Sequence, residues 1–397
     1  MDQKELDRHW MAEAISLAEK GAGRTSPNPV VGAVIVRDGE VVGRGYHQRA
    51  GGPHAETIAI KDAGNYTAGS TLYVNLEPCT HWGKTPPCVE AILEAGITTV
   101  VCAMQDPNPK INGAGIAWLR EHGIGVRTGV LQRTALRQNE AHVKFVVTGL
   151  PLVTLKIAQT LDGKIASPNG KAERLTGPAA QKFVHALRAR TDAVLVGKNT
   201  VLSDDPRLTV RAVKGRDPLR LILDSWGKIP RTAGVFANND DRKTVRIGLA
   251  IGKRPTTQPY PDCFDWYVSP DDRHQIDLHE VLANAARNNI TSILVEGGGQ
   301  VFGSFLRERL ADKVHILMAP RFLGAGVNAL GTFRAPSILE AVRLVDASVR
   351  WLGQDLLLSG YPDYEPEGIE DAPSVVMAED ETDGDPVVDT LEIASDE

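Results

Sequence analysis

At 397 residues the chain exceeds one usual domain, so two domains plus an extra segment are expected. Its 42% hydrophobic content can fill two cores, no apolar run approaches the ~20 residues of a membrane span, and the charged start MDQKELDRHW is unlike a secretory signal. A cytoplasmic protein without membrane contact is expected. The net charge of −6 is uneven: residues 365–397 hold 13 acidic side chains and no Lys or Arg, and without them 44 basic residues face 37 acidic ones, a balance of +7. A body of that sign suits phosphorylated, anionic small molecules, and the acidic, aromatic-poor stretch 362–397 is expected to be a disordered tail.

Along the chain, Glu5–Lys20 has the apolar spacing of an amphipathic helix. In residues 30–47 two β-branched stretches flank Asp38-Gly39, which predicts a hairpin. Helix and strand patterns then alternate, with His54–Ala63 as helix, Thr71–Leu76 as strand, Cys88–Ala95 as helix and Thr98–Met104 as strand. A helix over Arg133–Val147 closes a layered α/β domain, 1–148, and Gly149-Leu150-Pro151 breaks it from a second, 149–361. There, strands are expected at 152–158, 192–197, 219–224, 244–249, 291–296 and 313–319, and helices near 178–189, 276–288 and 299–309.

Four cysteines, Cys79, Cys88, Cys102 and Cys263, are too few and scattered for a disulfide framework, so metal binding is the better use for a close pair. Cys102 and Cys263 read as core residues. The strongest local signal is His54-Ala55-Glu56 followed by Pro78-Cys79 and Cys88. One imidazole and two thiolates make a three-ligand zinc site whose fourth position stays open for water. Glu56, two residues beyond His54, is placed to shuttle protons rather than to ligate. The pattern matches the H-x-E…P-C-x-x-C signature of zinc nucleobase deaminases, except that the eight residues THWGKTPP separate the cysteines. A purely structural zinc site, or two ordinary buried cysteines, is the bland alternative.

The string PNPVVGAVIV…GYHQRAGGPHAE…YVNLEPCTHWGKTPPC…AMQDPNP, about residues 8–145, closely resembles the deaminase domain of the bifunctional riboflavin-biosynthesis deaminase-reductases, which share the long cysteine spacer. The resemblance implies a cytidine-deaminase-like three-layer α/β/α fold and hydrolysis of the ring amine of a diaminopyrimidinone ribosyl phosphate. It makes Asn28, His47 and Lys84 substrate-contact candidates, although Asn28 between two prolines could simply turn the chain and Lys84 could be a solvated loop charge.

In the second half, a strand runs into Gly297-Gly298-Gly299 and then a helix, offering bare amides and a helix N-terminus to an anion such as a cofactor phosphate. Alone, that run could be only a tight strand-to-helix turn. With LKIAQTLDGKIA (155–166) and LVGKNTVLSDDPRLTVR (195–211), it resembles the reductase domain of the same family, from about Leu152 to Ser359. That implies a dihydrofolate-reductase-like α/β fold and hydride transfer from NADPH to the ribosyl carbon of the aminouracil product, giving the ribityl chain. By motif, Ala158, Thr200, Asp204, Ser225 and Gly298, Gly299, Gln300, Val301, Phe302, Gly303 and Ser304 line the cofactor. Lys156, Arg188, Leu208, Arg211 and Glu296 face the substrate. The chain departs from the family at Ala172-Glu173-Arg174-Leu175-Thr176-Gly177, where a Ser-x-Trp-Ile-Thr-Gly stretch is usual. Ala172 thereby lacks a substrate-contacting hydroxyl, and Arg174 stands where it could pair with a cofactor phosphate.

Two rival readings differ in class. One is a zinc pyrimidine deaminase with a degenerate or altered reductase half. The other is a nucleic-acid-binding or editing module, but the basic stripes interleaved with aromatics that it needs are absent and aromatics are 5% of the chain, so no nucleic-acid partner is expected. The sequence leaves room for a homo-oligomer.

Overall fold

The computed structural model describes residues 2–82, 86–109, 111–170, 173–236, 243–250 and 263–365. Its described residues form two compact units that divide between Gly149 and Leu150.

The first unit opens with α1 (Gln3–Glu19), started by an Asp2/Glu5 capping box. Next come β1 (Gly32–Arg37) and β2 (Glu40–Tyr46), joined at Asp38 and Gly39, both at positive φ as a tight hairpin requires. There follow α2 (Ala55–Ala63), β3 (Thr71–Val74), α3 (Cys88–Glu94), β4 (Thr99–Cys102), α4 (Ala114–Glu121), β5 (Gly125–Thr128), α5 (Gln132–Gln138) and α6 (Glu140–Thr148). The sheet order is β2-β1-β3-β4-β5, antiparallel at β2, β1 and β3 and parallel from β3 to β5. Strand periodicity sorts its side chains to two faces. Ala33, Ile35, Leu72, Val74 and Val100 meet Ala55 and Ala59 of α2, Ile92 of α3 and Leu119 of α4; Val34, Val36, Tyr73 and Val101 meet Met11 and Ala14 of α1 and Ala135 of α5. The layered α/β/α arrangement follows.

Two features of this unit differ from expectation. Helix α4 and strand β5 were not anticipated. The single helix expected over 133–147 is two, broken at Asn139, whose side chain accepts from the Val30 N–H at 2.9 Å and donates to the Val30 carbonyl at 3.1 Å. The break thus ties down the Pro27–Val31 strap.

The second unit comprises β6 (Leu152–Thr160), β7 (Lys164–Ala166), α7 (Pro178–Arg190), β8 (Ala193–Gly197), α8 (Lys198–Asp204), β9 (Leu219–Leu223), β10 (Thr244–Leu249), β11 (Phe264–Val268), α9 (Leu278–Arg287), β12 (Ser292–Val295), α10 (Gly299–Arg307), β13 (Lys313–Ala319), β14 (Val327–Asn328), β15 (Arg343–Leu352) and β16 (Asp355–Asp363). Its main sheet runs β11-β10-β9-β8-β12-β6-β13-β16-β15. The first seven strands are parallel, and the last two form an antiparallel hairpin. Helices α9 and α10 cover one face through Val281, Leu282, Phe302 and Phe305. On the other face, Phe183 of α7 meets the His315 ring. Strand β16 reaches Asp363, past the expected start of the tail at 362, and the Tyr364 hydroxyl donates to the Ala311 carbonyl at 2.9 Å. The remainder of that stretch, 366–397, lies outside the described residues. Among the described residues no helix is long and apolar enough to cross a membrane.

Gly32 shows how closely α1 rides on the sheet: a Cβ there would fall 2.0 Å from the Ala14 carbonyl oxygen and 2.6 Å from the Ala18 nitrogen. Gly32→Ala is expected to cost about 3 kcal/mol in urea unfolding. Gly39→Ala, where φ is 81° and the surroundings are open, should cost about 1 kcal/mol through backbone strain alone. Equal costs would contradict this packing.

Candidate functional site

In the first unit, three separate segments bring polar side chains together. His54 is the N-cap residue of α2, Cys79 follows the end of β3, and Cys88 opens α3. His54 Nδ1 lies 3.2 Å from Cys88 Sγ and 3.4 Å from Cys79 Sγ, and the Cys88 backbone N–H donates to Cys79 Sγ at 3.4 Å. One donor atom from each of the three lies within 4.8 Å of the others. A tetrahedral zinc with ordinary bond lengths sets nitrogen and sulfur about 3.6 Å apart, so this donor set fits one ion after small adjustments. The Cys88 thiol hydrogen-bonds the Cys79 sulfur and, with His54, holds Cys79 down to about 4; Cys88 is pushed up by that bond and by burial. The lowered Cys79 favours the thiolate form that a metal binds.

Glu56, in the first turn of α2, is 4% exposed, and burial raises its carboxyl above the usual range, with Cys79 adding to the effect. His47 Nδ1 lies 2.9 Å from the Pro53 carbonyl, so that nitrogen carries the proton and Nε2 is left to accept from the Asn28 amide at 3.2 Å. The His47 and His54 rings meet edge to face at 5.7 Å. Asn28, His47, His54, Glu56 and both cysteines thus gather in one place; Lys84 lies outside the described residues.

Sequence reasoning missed the residues that hold this cluster. Glu77, 4% exposed, accepts the backbone N–H groups of Asp106 (2.9 Å), Gly113 (3.0 Å), Gly115 (2.7 Å) and Ile116 (3.2 Å). Asn75, fully buried, accepts from Gly32 N–H at 3.0 Å and donates to the Val30 carbonyl at 3.0 Å. The available signal was two polar residues, Asn75 and Glu77, in an otherwise apolar strand end.

In the second unit, Glu296 follows β12. Its carboxylate pairs with Lys156 Nζ at 3.1 Å and Arg188 Nη2 at 2.9 Å, and Arg188 Nε also donates to it. Arg188 Nη1 donates to the Thr209 carbonyl at 3.0 Å. On the same loop Leu208 is buried at a φ of 56°, and the Arg211 N–H donates to His185 Nδ1 at 2.9 Å. Burial lowers His185 to about 4, leaving it neutral and able to accept. Lys156, Arg188 and Glu296 therefore form one ion-pair network, and Leu208 and Arg211 flank Thr209 on the loop that Arg188 reaches; Ala172 lies outside the described residues.

The cofactor candidates are divided. Connections leave β8 toward β9 on one side and β12 toward β13 on the other, so the ends of β8 and β12 form a crevice of the kind where α/β sheets hold ligands. Thr200 of α8 and Gly298 before α10 face each other across it: Gly298 has a φ of 78°, and a Cβ there would sit 3.1 Å from Thr200 Oγ1. The Thr200 hydroxyl thus packs close against the Gly298 backbone at the start of α10.

Gly299 and Gly303 serve packing, since their Cβ atoms would lie 2.4 Å from the Asn328 carbonyl and 2.5 Å from the Leu330 carbonyl. Phe302 points into the core, Val301 packs near Gly197, and Gln300 accepts from the Thr332 hydroxyl at 3.2 Å. Ser304 is half-buried on α10, and Ala158 is half-buried on β6 opposite Leu317. Asp204 is exposed at the end of α8, and Ser225 follows β9, where its carbonyl accepts from Leu249 N–H at 3.2 Å. Arg174 donates to Gln181.

Burial alone would raise the Glu296 carboxyl, but Arg188 and Lys156 together overcome it and hold it at about 2. A folded-state value below the unfolded one stabilises the fold above the ordinary glutamate range, and this contribution is lost as pH falls from about 4.5 toward 2. Glu296→Gln should flatten acid unfolding in that window and, by leaving two cations short of a charge, cost about 3 kcal/mol at pH 7. An unchanged acid profile would rule out this linkage.

Two family models match the chain: the cytidine and deoxycytidylate deaminase zinc-binding region at residues 4–104, and the RibD C-terminal domain at residues 151–358. The riboflavin biosynthesis protein RibD of Aquifex aeolicus is 40% identical over 356 residues, covering 89% of this chain and 98% of that protein. The structure of Acinetobacter baumannii RibD superposes with a TM-score of 0.82 at 36% identity, over 91% of this chain and 100% of that one. A Thermotoga maritima structure, described as a diaminohydroxyphosphoribosylaminopyrimidine deaminase and 5-amino-6-(5-phosphoribosylamino)uracil reductase, superposes at 0.80 with 36% identity and the same coverage. With both halves matched in order and nearly the full length of its relatives spanned, the chain belongs to the RibD family of riboflavin-biosynthesis proteins.

Proposed function

We propose that this chain catalyses the deaminase and reductase steps that its Thermotoga relative is named for, and that these are hydrolytic deamination of a diaminopyrimidinone ribosyl phosphate followed by reduction of the ribosyl to the ribityl side chain with NADPH. The observation that carries the reading is the convergence of His54, Cys79 and Cys88 beside a buried, protonatable Glu56.

His54, Cys79 and Cys88 would hold zinc, whose Lewis acidity would make water a nucleophile near neutral pH. Glu56 takes a proton from the attacking water and returns one to the ring amine as it leaves as ammonia. Its raised affinity for protons suits both transfers. Asn28 donates to His47 Nε2, which directs its amide oxygen the other way, toward a ring N–H of the substrate. In the second unit the crevice at the ends of β8 and β12 would hold NADPH, which would supply the hydride. The Lys156–Glu296–Arg188 network orients the sugar, and Arg211 meets the substrate phosphate. A cytoplasmic place of work accords with phosphorylated substrates of this kind.

Glu56→Ala should retain one zinc per chain by atomic absorption and lose ammonia release by roughly 10²-fold or more. Chelation should abolish NADPH oxidation when the diaminopyrimidinone is supplied and spare it when the deaminated aminouracil is supplied. Ammonia release by the Glu56 variant at the wild-type rate would refute the proton-transfer role, and chelator-resistant deamination would refute the metal role.

A further inference from the structure

Arg211 lies between the end of α8 at Asp204 and the start of β9 at Leu219, where no strand or helix ladder fixes the backbone. Side chains fix it instead. The Thr209 carbonyl accepts from Arg188 Nη1 at 3.0 Å, the Val210 N–H donates to Asp217 Oδ1 at 2.6 Å, and the Arg211 N–H donates to His185 Nδ1 at 2.9 Å. Leu208, just before them, is buried at a φ of 56°, a conformation that a side-chain-bearing residue keeps only where its surroundings hold it. The Arg211 guanidinium in turn donates to Thr209 Oγ1 at 2.5 Å, so its aim follows the backbone of these three residues.

The three anchors are not equivalent. Asp217 belongs to the same connection and moves with it, and Arg188 directs its other nitrogens to Glu296. His185, 3% exposed and one helical turn before Arg188 on α7, ties the loop to the body of the unit through Nδ1. A backbone N–H only donates, so Nδ1 carries the lone pair and the ring proton is on Nε2. Burial, Arg188 and Arg211 oppose protonation of this ring, Glu296 and Asp217 favour it, and the first three prevail, so the acceptor is kept.

We propose that His185 is a positioning residue of the reductase: it fixes the backbone of Arg211 and thereby aims the Arg211 guanidinium at the substrate phosphate. This rests on the reading of Arg211 as the phosphate's partner. His185 meets neither substrate nor cofactor in this role, so it acts on binding of the phosphorylated substrate and not on the hydride step.

The test is steady-state NADPH oxidation by the full-length protein, with the deaminated aminouracil supplied either as its ribosyl phosphate or as the riboside that lacks the phosphate. His185→Leu should raise KM for the phosphate about tenfold, hold kcat within about twofold, and leave kcat/KM for the riboside unchanged. Added to Arg211→Ala it should cause no further loss, because the two act as one unit. His185→Asn and His185→Gln, which bring an amide oxygen near the positions of Nδ1 and Nε2 respectively, should differ: Asn keeps most of the wild-type KM and Gln does not. That pair decides the matter even if the Leu variant does not fold. Equal loss with phosphate and riboside, or equal KM for the Asn and Gln variants, would overturn the positioning role while leaving Arg211 in place. If Arg211→Ala itself treats phosphate and riboside alike, the reading of Arg211 fails and this inference falls with it.

Discussion

A single buried carboxylate organises the deaminase side of the molecule. Glu77 sits between β3 and Cys79, and its two oxygens collect four backbone N–H groups from the segment running from Asp106 into the first turn of α4. Those donors include orphan amides at a helix start, which otherwise need water or a cap. By taking them, Glu77 pins α4 against the turn that launches Cys79, so closely that a Cβ on Gly115 would meet the Pro78 carbonyl oxygen at 2.1 Å. Cys79 is thereby held still enough to meet His54 and Cys88, which come from other segments. Asn75 and Asn139 do the same for the Pro27–Val31 strap, and Asn28 reaches His47 because that strap is fixed.

The reductase side depends on topology more than on any one contact. Parallel strands direct their carboxyl ends to one edge, and the opposite departures of the chain after β8 and β12 open a crevice there. The glycines at that edge divide the labour. Gly297, Gly299 and Gly303 let backbones and Val196 approach, while Gly298 supplies the positive φ that starts α10 beside Thr200. The run thus serves close packing at three positions and backbone conformation at the fourth, and the two uses separate only when each Cβ is placed.

Much of this was readable in the sequence, for physical reasons that also explain what was not. The hairpin at Asp38-Gly39 and the strands β6, β8, β9, β10 and β12 announce themselves through turn chemistry and β-branched runs. His54, Glu56, Cys79 and Cys88 stand out because few folds need those side chains at that spacing. Strand β15 did not stand out, since it is an edge strand with solvent on one face and Asp346 in its middle, and it carries a bulge between Val345 and Ser348. Strand β5 is four residues long and barely buried, so no apolar alternation marks it. The break at Asn139 was hidden because helical periodicity continues on both sides; its cause is a partner over a hundred residues away. Glu77 and His185 escaped for the same reason, since their value lies in backbone amides from segments distant in the chain.

Three buried glutamates show how one side chain is given three tasks by its surroundings. Glu77 is surrounded by amide dipoles, four of them pointing at its oxygens, and is committed to holding backbone. Glu296 faces two full positive charges, and their attraction exceeds its desolvation, so it stays ionised and fixes Lys156 and Arg188 in place. Glu56 has less of either: a backbone N–H and His54 favour its charge, but burial and the nearby Cys79 sulfur outweigh them, and its proton affinity rises. A carboxyl meant to orient should be overcompensated, and one meant to exchange a proton should be left short of compensation. That difference in surroundings agrees with the proton-transfer role proposed for Glu56 and the positioning role proposed for Glu296.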